Sequence, residues 1–174
     1  MFFADPTAYA HSYSLAPAGG AFLVAVGVFL ILGAFVPRLR QTLAWIGLAL
    51  AAASLALWAR ELSRGLPAPD WIQIGSLVLA IALEIVAIRF FAPRWWRQGE
   101  RSVVLGILVI VGLHFIIMFP AFGPAIVVLA MLCVVNAGVA RARPSIPIDT
   151  AWFLDGLFKL AAGAWMLSTS PLFR

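Results

Sequence analysis

Apolar residues along this chain fall into long runs separated by short stretches rich in proline, arginine and polar residues. A helix rises about 1.5 Å per residue, so a run of roughly 18–20 residues covers the ~30 Å hydrocarbon core of a bilayer. The pattern therefore predicts an all-α polytopic membrane protein, a six-transmembrane-helix bundle. The predicted spans are residues 19–36, 42–59, 71–91, 103–119, 125–140 and 150–167.

The predicted spans divide the chain into three parts. We expect an extracytoplasmic interfacial segment over residues 1–18, the six-helix transmembrane domain over residues 19–169, and a short C-terminal tail over residues 170–174. Residues 36–41 resemble residues 92–98, because each segment places Pro-Arg directly after an apolar run. One interpretation of this similarity is three tandem helical hairpins. The other is that Pro-Arg is simply common at the ends of membrane helices.

Composition supports a membrane protein and indicates its orientation. Hydrophobic residues make up 64% of the chain and the mean hydropathy is +1.04, which leaves no room for a separate soluble domain. The net charge of +5 comes from arginines in the connections, where it meets lipid headgroups and does not indicate nucleic-acid binding. Positive charge is retained in the cytoplasm, so we expect a multi-pass protein of the inner (plasma) membrane with both termini extracytoplasmic. The arginines on the predicted cytoplasmic side are Arg38, Arg40, Arg94, Arg97, Arg101, Arg141 and Arg143, against Arg60, Arg64 and Arg174 on the other side.

Two of the predicted spans carry charged residues within their apolar runs. The last span contains Asp155 and Lys159, which are four residues apart and therefore share one face of a helix. A charged side chain inside a bilayer costs at least about 2.5–3.5 kcal/mol, so such groups are usually paired. The third span contains an acid on a stripe of small and polar residues, namely Gln73, Ser76, Ala80, Glu84 and Ala87.

Depth along the predicted spans brings several of these groups together. At about 1.5 Å per residue, Asp155, Lys159, Glu84 and Asn136 lie roughly 6–13 Å from the cytoplasmic edge. If these spans are neighbours, Lys159 can lie between Asp155 and Glu84, with Asn136 donating a hydrogen bond to a carboxylate. Such a cluster is either a salt bridge that fixes helix register or a site that binds or moves a solute or proton.

The remaining chemistry-bearing residues in the spans are His114 and Cys133. His114 is expected nearer the outer surface, where it either bonds a backbone carbonyl or handles a proton or ligand. Cys133 is expected to be a packing residue. Two candidates on different spans do not make a tetrahedral metal site, and a second histidine for haem is missing from the spans. No phosphate loop or nucleophile motif is present, so we expect no metal, no cofactor and no catalytic residue, and thus no enzyme.

Four short motifs stand in the C-terminal part of the chain: Gly112-Leu113-His114-Phe115, Phe122-Gly123-Pro124, Leu132-Cys133-Val134-Val135-Asn136-Ala137 and Asp155-Gly156-Leu157-Phe158-Lys159. Together they resemble a family of small bacterial six-span integral membrane proteins that is described only as a domain of unknown function. The resemblance implies a six-helix membrane protein and brings no activity with it. Its anchor positions in this sequence would be His114, Asn136, Asp155 and Lys159.

The Asp155–Lys159 spacing is also similar, more remotely, to the last helix of microbial rhodopsins, where the lysine carries retinal and the aspartate is a counterion. This chain has one predicted span fewer, and its acid lies on the opposite side of the lysine. Retinal binding is therefore a remote alternative that rests on analogy alone.

These observations predict a protein for small-solute or proton-coupled transport or binding. The site residues for ligand binding or proton handling would be Glu84, Asp155, Lys159, Asn136 and His114, and the partners would be the lipid bilayer and a small polar solute or proton. The alternative is a non-catalytic accessory subunit or a homo-oligomer that associates with another membrane protein or a second copy. Its lateral contacts would come from small residues of the first two spans, such as Gly20, Gly27, Gly47 and Ala51.

Overall fold

The computed structural model of the chain describes residues 5–173, and its regular structure is entirely helical. The α-helices are α1 (Pro6–Ser12), α2 (Ala16–Phe35), α3 (Arg40–Leu62), α4 (Trp71–Trp96), α5 (Glu100–Ile117), α6 (Phe119–Phe122), α7 (Pro124–Ala142) and α8 (Ile148–Ser168), with single 3-10 turns at Pro37–Leu39 and Pro171–Phe173. Residues 1–4 of the predicted interfacial segment, and Arg174 of the arginine count, lie outside the described residues.

Five segments of residues 5–173 are long and apolar enough to cross a membrane: Ala16–Phe35, Pro37–Leu62, Trp71–Trp96, Glu100–Ile117 and Pro124–Ala142. By length and composition, these segments identify a membrane protein. The helix α8 is of similar length, with 21 residues, but it carries Asp149, Asp155 and Lys159 and is not among the five. The six-span count and the tandem hairpins therefore stay predictions.

One boundary of α4 differs from the sequence-based expectation and the other agrees with it. The third predicted span was expected to end at Phe91, yet α4 continues through Pro93 to Trp96. Pro93 has no backbone N–H to donate, so it removes one hydrogen bond from the helix, and α4 ends three residues beyond it. The helix begins with a capping box in which Asp70 and Gln73 bond each other's backbone amides, so its start is where the sequence predicts it.

The long helices lie side by side in the order α3, α2, α8, α7, α5, α4, with additional contacts between α5 and α8. The closest pair is α2 and α8, which run antiparallel with Gly20 against Gly163 and Gly27 against Gly156. A Cβ atom on Gly27 would lie 2.8 Å from the carbonyl oxygen of Gly156, so only glycine permits this approach. These glycines of the first span are thus packed within the chain and do not face outward.

Polar contacts join the helices at both ends of the bundle, where the long helices begin and end. At one end, named here the Arg40 end, Arg40 at the start of α3 meets the starts of α5 and α8. At the opposite end, the Tyr9 end, the Tyr9 hydroxyl donates to the Phe122 carbonyl and accepts from the Ala125 amide at 3.3 Å. Burial raises the pKa of Tyr9 to about 12, so this hydroxyl keeps its proton and remains a donor.

The predicted stripe on α4 is the side that faces the other helices. Gln73 and Ala80 are buried, and the remaining members of the stripe are partly buried. Most of the other side chains of α4, among them Val78, Leu79 and Val86, are exposed on the chain surface. The stripe prediction is confirmed, and it positions Glu84 toward the interior.

Candidate functional site

The buried charges of the molecule are concentrated on α8. Asp155 is 0% and Lys159 is 2% exposed, and the ammonium group donates directly to Oδ2 of the carboxylate. The i, i+4 spacing brings the two side chains together on one helix, so the pair needs no second helix to form. The predicted pairing of this acid with this base is confirmed.

Two neighbouring helices cover this pair. Cys133 of α7 places its sulfur 3.9 Å from Nζ of Lys159, and Phe115 of α5 places its ring centroid 5.6 Å from the same nitrogen. The second carboxylate oxygen of Asp155, Oδ1, is buried and receives no N–H or O–H donor from residues 5–173. A buried acceptor in this condition costs free energy, and it remains available to a proton or a water molecule.

A second acid–base pair lies between α4 and α5. Oε2 of Glu84 is 3.5 Å from Nδ1 of His114, with the Glu84 side chain 24% exposed and the His114 side chain 8% exposed. Phe115, the neighbour of His114 on α5, lies near Lys159 of α8, with its ring centroid 5.6 Å from Nζ. Titratable groups therefore extend from the edge helix α4, through His114, to the pair on α8.

Lys159 and Glu84, which the sequence analysis placed side by side, are not in contact in the structure. Lys159 contacts Asp155 but does not bridge to Glu84, which contacts His114 instead. His114 was expected nearer the outer surface, bonded to a backbone carbonyl or handling a proton or ligand, and its contact with Glu84 was not predicted. Its helix packs directly along α4, and the rotation of two packed helices is not visible in a hydropathy pattern.

Asn136 is also placed differently from the expectation. Its side-chain amide donates to the backbone carbonyl of Ala151 at 2.7 Å, so the predicted bond to a carboxylate is wrong. This contact joins α7 to α8 one turn before Asp155. Asn136 therefore positions the helix that carries the charges.

Sequence reasoning missed one buried charged residue that lies outside the two acid–base pairs. Arg40, which was counted only as an orientation charge, is 6% exposed and binds Asp149 at the start of α8. It also lies 3.7 Å from Glu100 at the start of α5. A usable signal was present, because Glu100 and Asp149 lie just before the fourth and sixth predicted spans, on the same side of the membrane as this arginine.

These groups can exchange protons and hold polar ligands, but they do not form a cluster for a metal ion. Within residues 5–173, no group of three His, Cys, Asp or Glu side chains has the geometry to hold a metal. The site is thus a set of acid–base pairs and a thiol.

An all-helical membrane protein with acid–base pairs between its packed helices is the class that the fold and the site define. Within that class, this chain belongs to the family described as "Family of unknown function (DUF6609)", which it matches over residues 8–172. The prediction of an uncharacterised family is confirmed, and the match extends well beyond the C-terminal motifs. No curated protein and no solved structure matches the chain.

Proposed function

We propose that this protein is a multi-pass protein of the inner (plasma) membrane that binds and transfers a proton at its buried acid–base groups. The proton would be coupled to the transport or binding of a small polar solute. The observation that carries the proposal is the succession of two adjacent acid–base pairs, Glu84–His114 and Asp155–Lys159, inside a helical bundle. In this proposal the protein is not an enzyme, and both termini are extracytoplasmic.

The first supporting point is the placement of charge. Ionisable groups inside a membrane are expensive and most often line a path for ions or protons. Glu84 is the partly exposed member, while the α8 pair is closed off from the surface. A proton taken up at Glu84 has His114 as its next acceptor, at 3.5 Å.

The second supporting point is the vacant oxygen of Asp155. Lys159 occupies Oδ2, while Oδ1 receives no N–H or O–H donor from the described chain. Protonation at Oδ1 would neutralise the carboxylate and weaken its hold on the lysine. Loss of that attraction gives the site two states with different charge, which is the requirement for coupling a proton to a solute.

The test reconstitutes the purified protein in liposomes that contain a pH-sensitive dye. Amino acids, carboxylates, amines, sugars and inorganic cations are added one class at a time. We expect one class to change the internal pH, and Asp155→Asn or Glu84→Gln to slow the initial rate at least about tenfold, equivalent to ~1.4 kcal/mol. Glu61→Gln is the matched control, because that acid lies at the end of α3 and pairs with the exposed Arg64.

A second readout does not depend on the identity of the solute. Infrared difference spectra recorded across a pH step should contain a protonated-carboxyl band that Glu84→Gln or Asp155→Asn removes. A spectrum without such a band, together with liposomes in which no solute moves protons, would overturn the proposal.

A second candidate function is a non-catalytic membrane subunit, and one observation favours it. Within the described chain, α3 and α4 lie at the two ends of the row, and only 11% of the most apolar window of each is buried. Such faces can contact a partner protein or a second copy as readily as lipid. Purification in a mild detergent tests this candidate, because a partner would co-migrate in a fixed stoichiometry and a lipid-facing surface would not retain one.

A further inference from the structure

A charged cluster at the Arg40 end joins α3 to two helices that it does not pack along. Arg40 binds Asp149 of α8 and lies 3.7 Å from Glu100 of α5. Its own helix, α3, packs along α2 and not along either of these helices. One buried guanidinium group therefore ties three helix starts together. We name Arg40, Asp149 and Glu100 the latch.

Buried polar atoms without partners lead from the latch toward the α8 pair. In the described part of the chain these atoms include Nε of Arg40, Nε1 of Trp152 and Oδ1 of Asp155. The Arg40 guanidinium lies over the Trp152 ring at 5.6 Å, and Asp155 is one helical turn further along α8. Water entering here would supply each of these atoms with a partner, as buried waters commonly do.

A surface groove marks where such water would enter. It has a volume of about 360 Å³ and is lined by Ala34, Phe35, Asp149, Thr150 and Phe153. Asp149 belongs both to this groove and to the latch, and its side chain is 46% exposed. From Asp149 to Asp155 the helix rises only about 9 Å, so the closed section is short.

We propose that the latch closes a water route from the Arg40 end to the Asp155–Lys159 pair. Release of Asp149 and Glu100 by Arg40 frees Trp152 to move and opens the route along α8. This inference deepens the proposed function and rests on it for its purpose, since it names the side from which the α8 pair receives water and protons. Access itself is a separate property that can be measured without any proton transfer.

The chain contains its own reporter of access to the site. Cys133 is the single cysteine of the sequence, is 0% exposed, and lies 3.9 Å from Nζ of Lys159. A charged, membrane-impermeant thiol reagent can modify it only when water reaches the α8 pair. Labelling is measured by mass spectrometry on sealed vesicles, with reagent added to right-side-out or to inverted preparations.

We expect the wild-type protein to remain unlabelled from both sides. Arg40→Gln should raise the labelling of Cys133 from the Arg40 end at least about tenfold above the wild-type background, with no change from the Tyr9 end. Arg38→Cys in a Cys133→Ala background identifies the side that the Arg40 end faces. Arg64→Gln is the matched control, because it removes an arginine of an exposed ion pair at the opposite end.

Asp149→Asn provides a second variant that keeps the arginine in place, and it should raise labelling from the same side. Labelling that stays absent in both folded variants overturns the latch. Labelling that rises equally from both sides overturns it as well, because it indicates general loosening of the bundle. A labelled variant in liposomes without proton movement would support the latch and contradict the proposed function, so the two outcomes are distinguishable.

Discussion

The helices α8 and α4 are both long, and each carries an acid near its middle, yet the two acids have different surroundings. Asp155 of α8 lies between α2 and α7 and is fully buried, with a lysine of its own helix as partner. Glu84 of α4 lies on the edge helix, is 24% exposed, and finds a histidine on the next helix. The two acids differ in burial because α8 has a packed helix on each side, whereas α4 lies at the edge of the row.

This difference indicates how each charge is tolerated. The α8 pair is neutral as a unit, so it can be buried wherever that helix is buried. The Glu84–His114 pair depends on the packing of α4 against α5, and its Glu84 side chain remains 24% exposed on the surface of the chain. We therefore expect changes on α8 to affect stability strongly, and changes on α4 to affect mainly proton handling.

The largest effect is expected from Lys159→Met. This change leaves a buried carboxylate without its counter-charge, which typically costs about 3–5 kcal/mol. Unfolding of the purified protein in a mild detergent, followed by circular dichroism against temperature or denaturant, measures the loss.

The double variant Asp155→Leu with Lys159→Met sharpens this prediction. Apolar residues of similar size often replace a buried ion pair without loss, so most of the stability should return. A double variant as unstable as the single one would show that the lysine stabilises the bundle through contacts other than the ion pair.

An intermediate effect is expected from Gly27→Ala. The added Cβ atom would meet the Leu160 amide nitrogen at 2.7 Å and force α2 and α8 apart, at a cost of about 1–3 kcal/mol. Gly75→Ala on α4 is the matched control, because a Cβ atom added there would meet no atom of another described helix within 4 Å. Equal destabilisation by the two changes in the same unfolding assay would contradict the described packing of α8.

The smallest effect on stability is expected from Glu84→Gln. The side chain is partly exposed and its contact with His114 is 3.5 Å long, so we expect a loss below about 1 kcal/mol. The measurement is again detergent unfolding, with wild type and Lys159→Met as references. A loss as large as that of Lys159→Met would mean that the edge helix depends on this contact as strongly as α8 depends on its own pair.

Sequence-based reasoning located the helices because the signals are local. Long apolar runs predict the membrane helices, among them α4, whose start at Trp71 agrees with the prediction. The i, i+4 spacing of Asp155 and Lys159 predicts their contact without any knowledge of the neighbouring helices. Glu84 was predicted to face inward from the stripe on α4, and this is confirmed.

The partners across helices could not be predicted in the same way. The contact of His114 with Glu84 was not predicted, and Asn136, which was expected to meet a carboxylate, contacts the Ala151 carbonyl instead. Arg40 has the sequence context of an orientation charge, and its burial depends on three helix starts meeting at one point. Each of these contacts joins segments that are distinct in the chain.

The sequence by itself determined that the chain is helical, that it is apolar enough for a membrane, and that one helix carries its own buried ion pair. Only the tertiary structure decided which helices lie in the centre of the row, which acid meets which base, and where the ends are closed. The physical reason is that helix faces turned toward lipid and faces turned toward other helices are both apolar. Hydropathy therefore does not specify the rotation or the order of the helices, and close packing at positions such as Gly27 and Gly156 does.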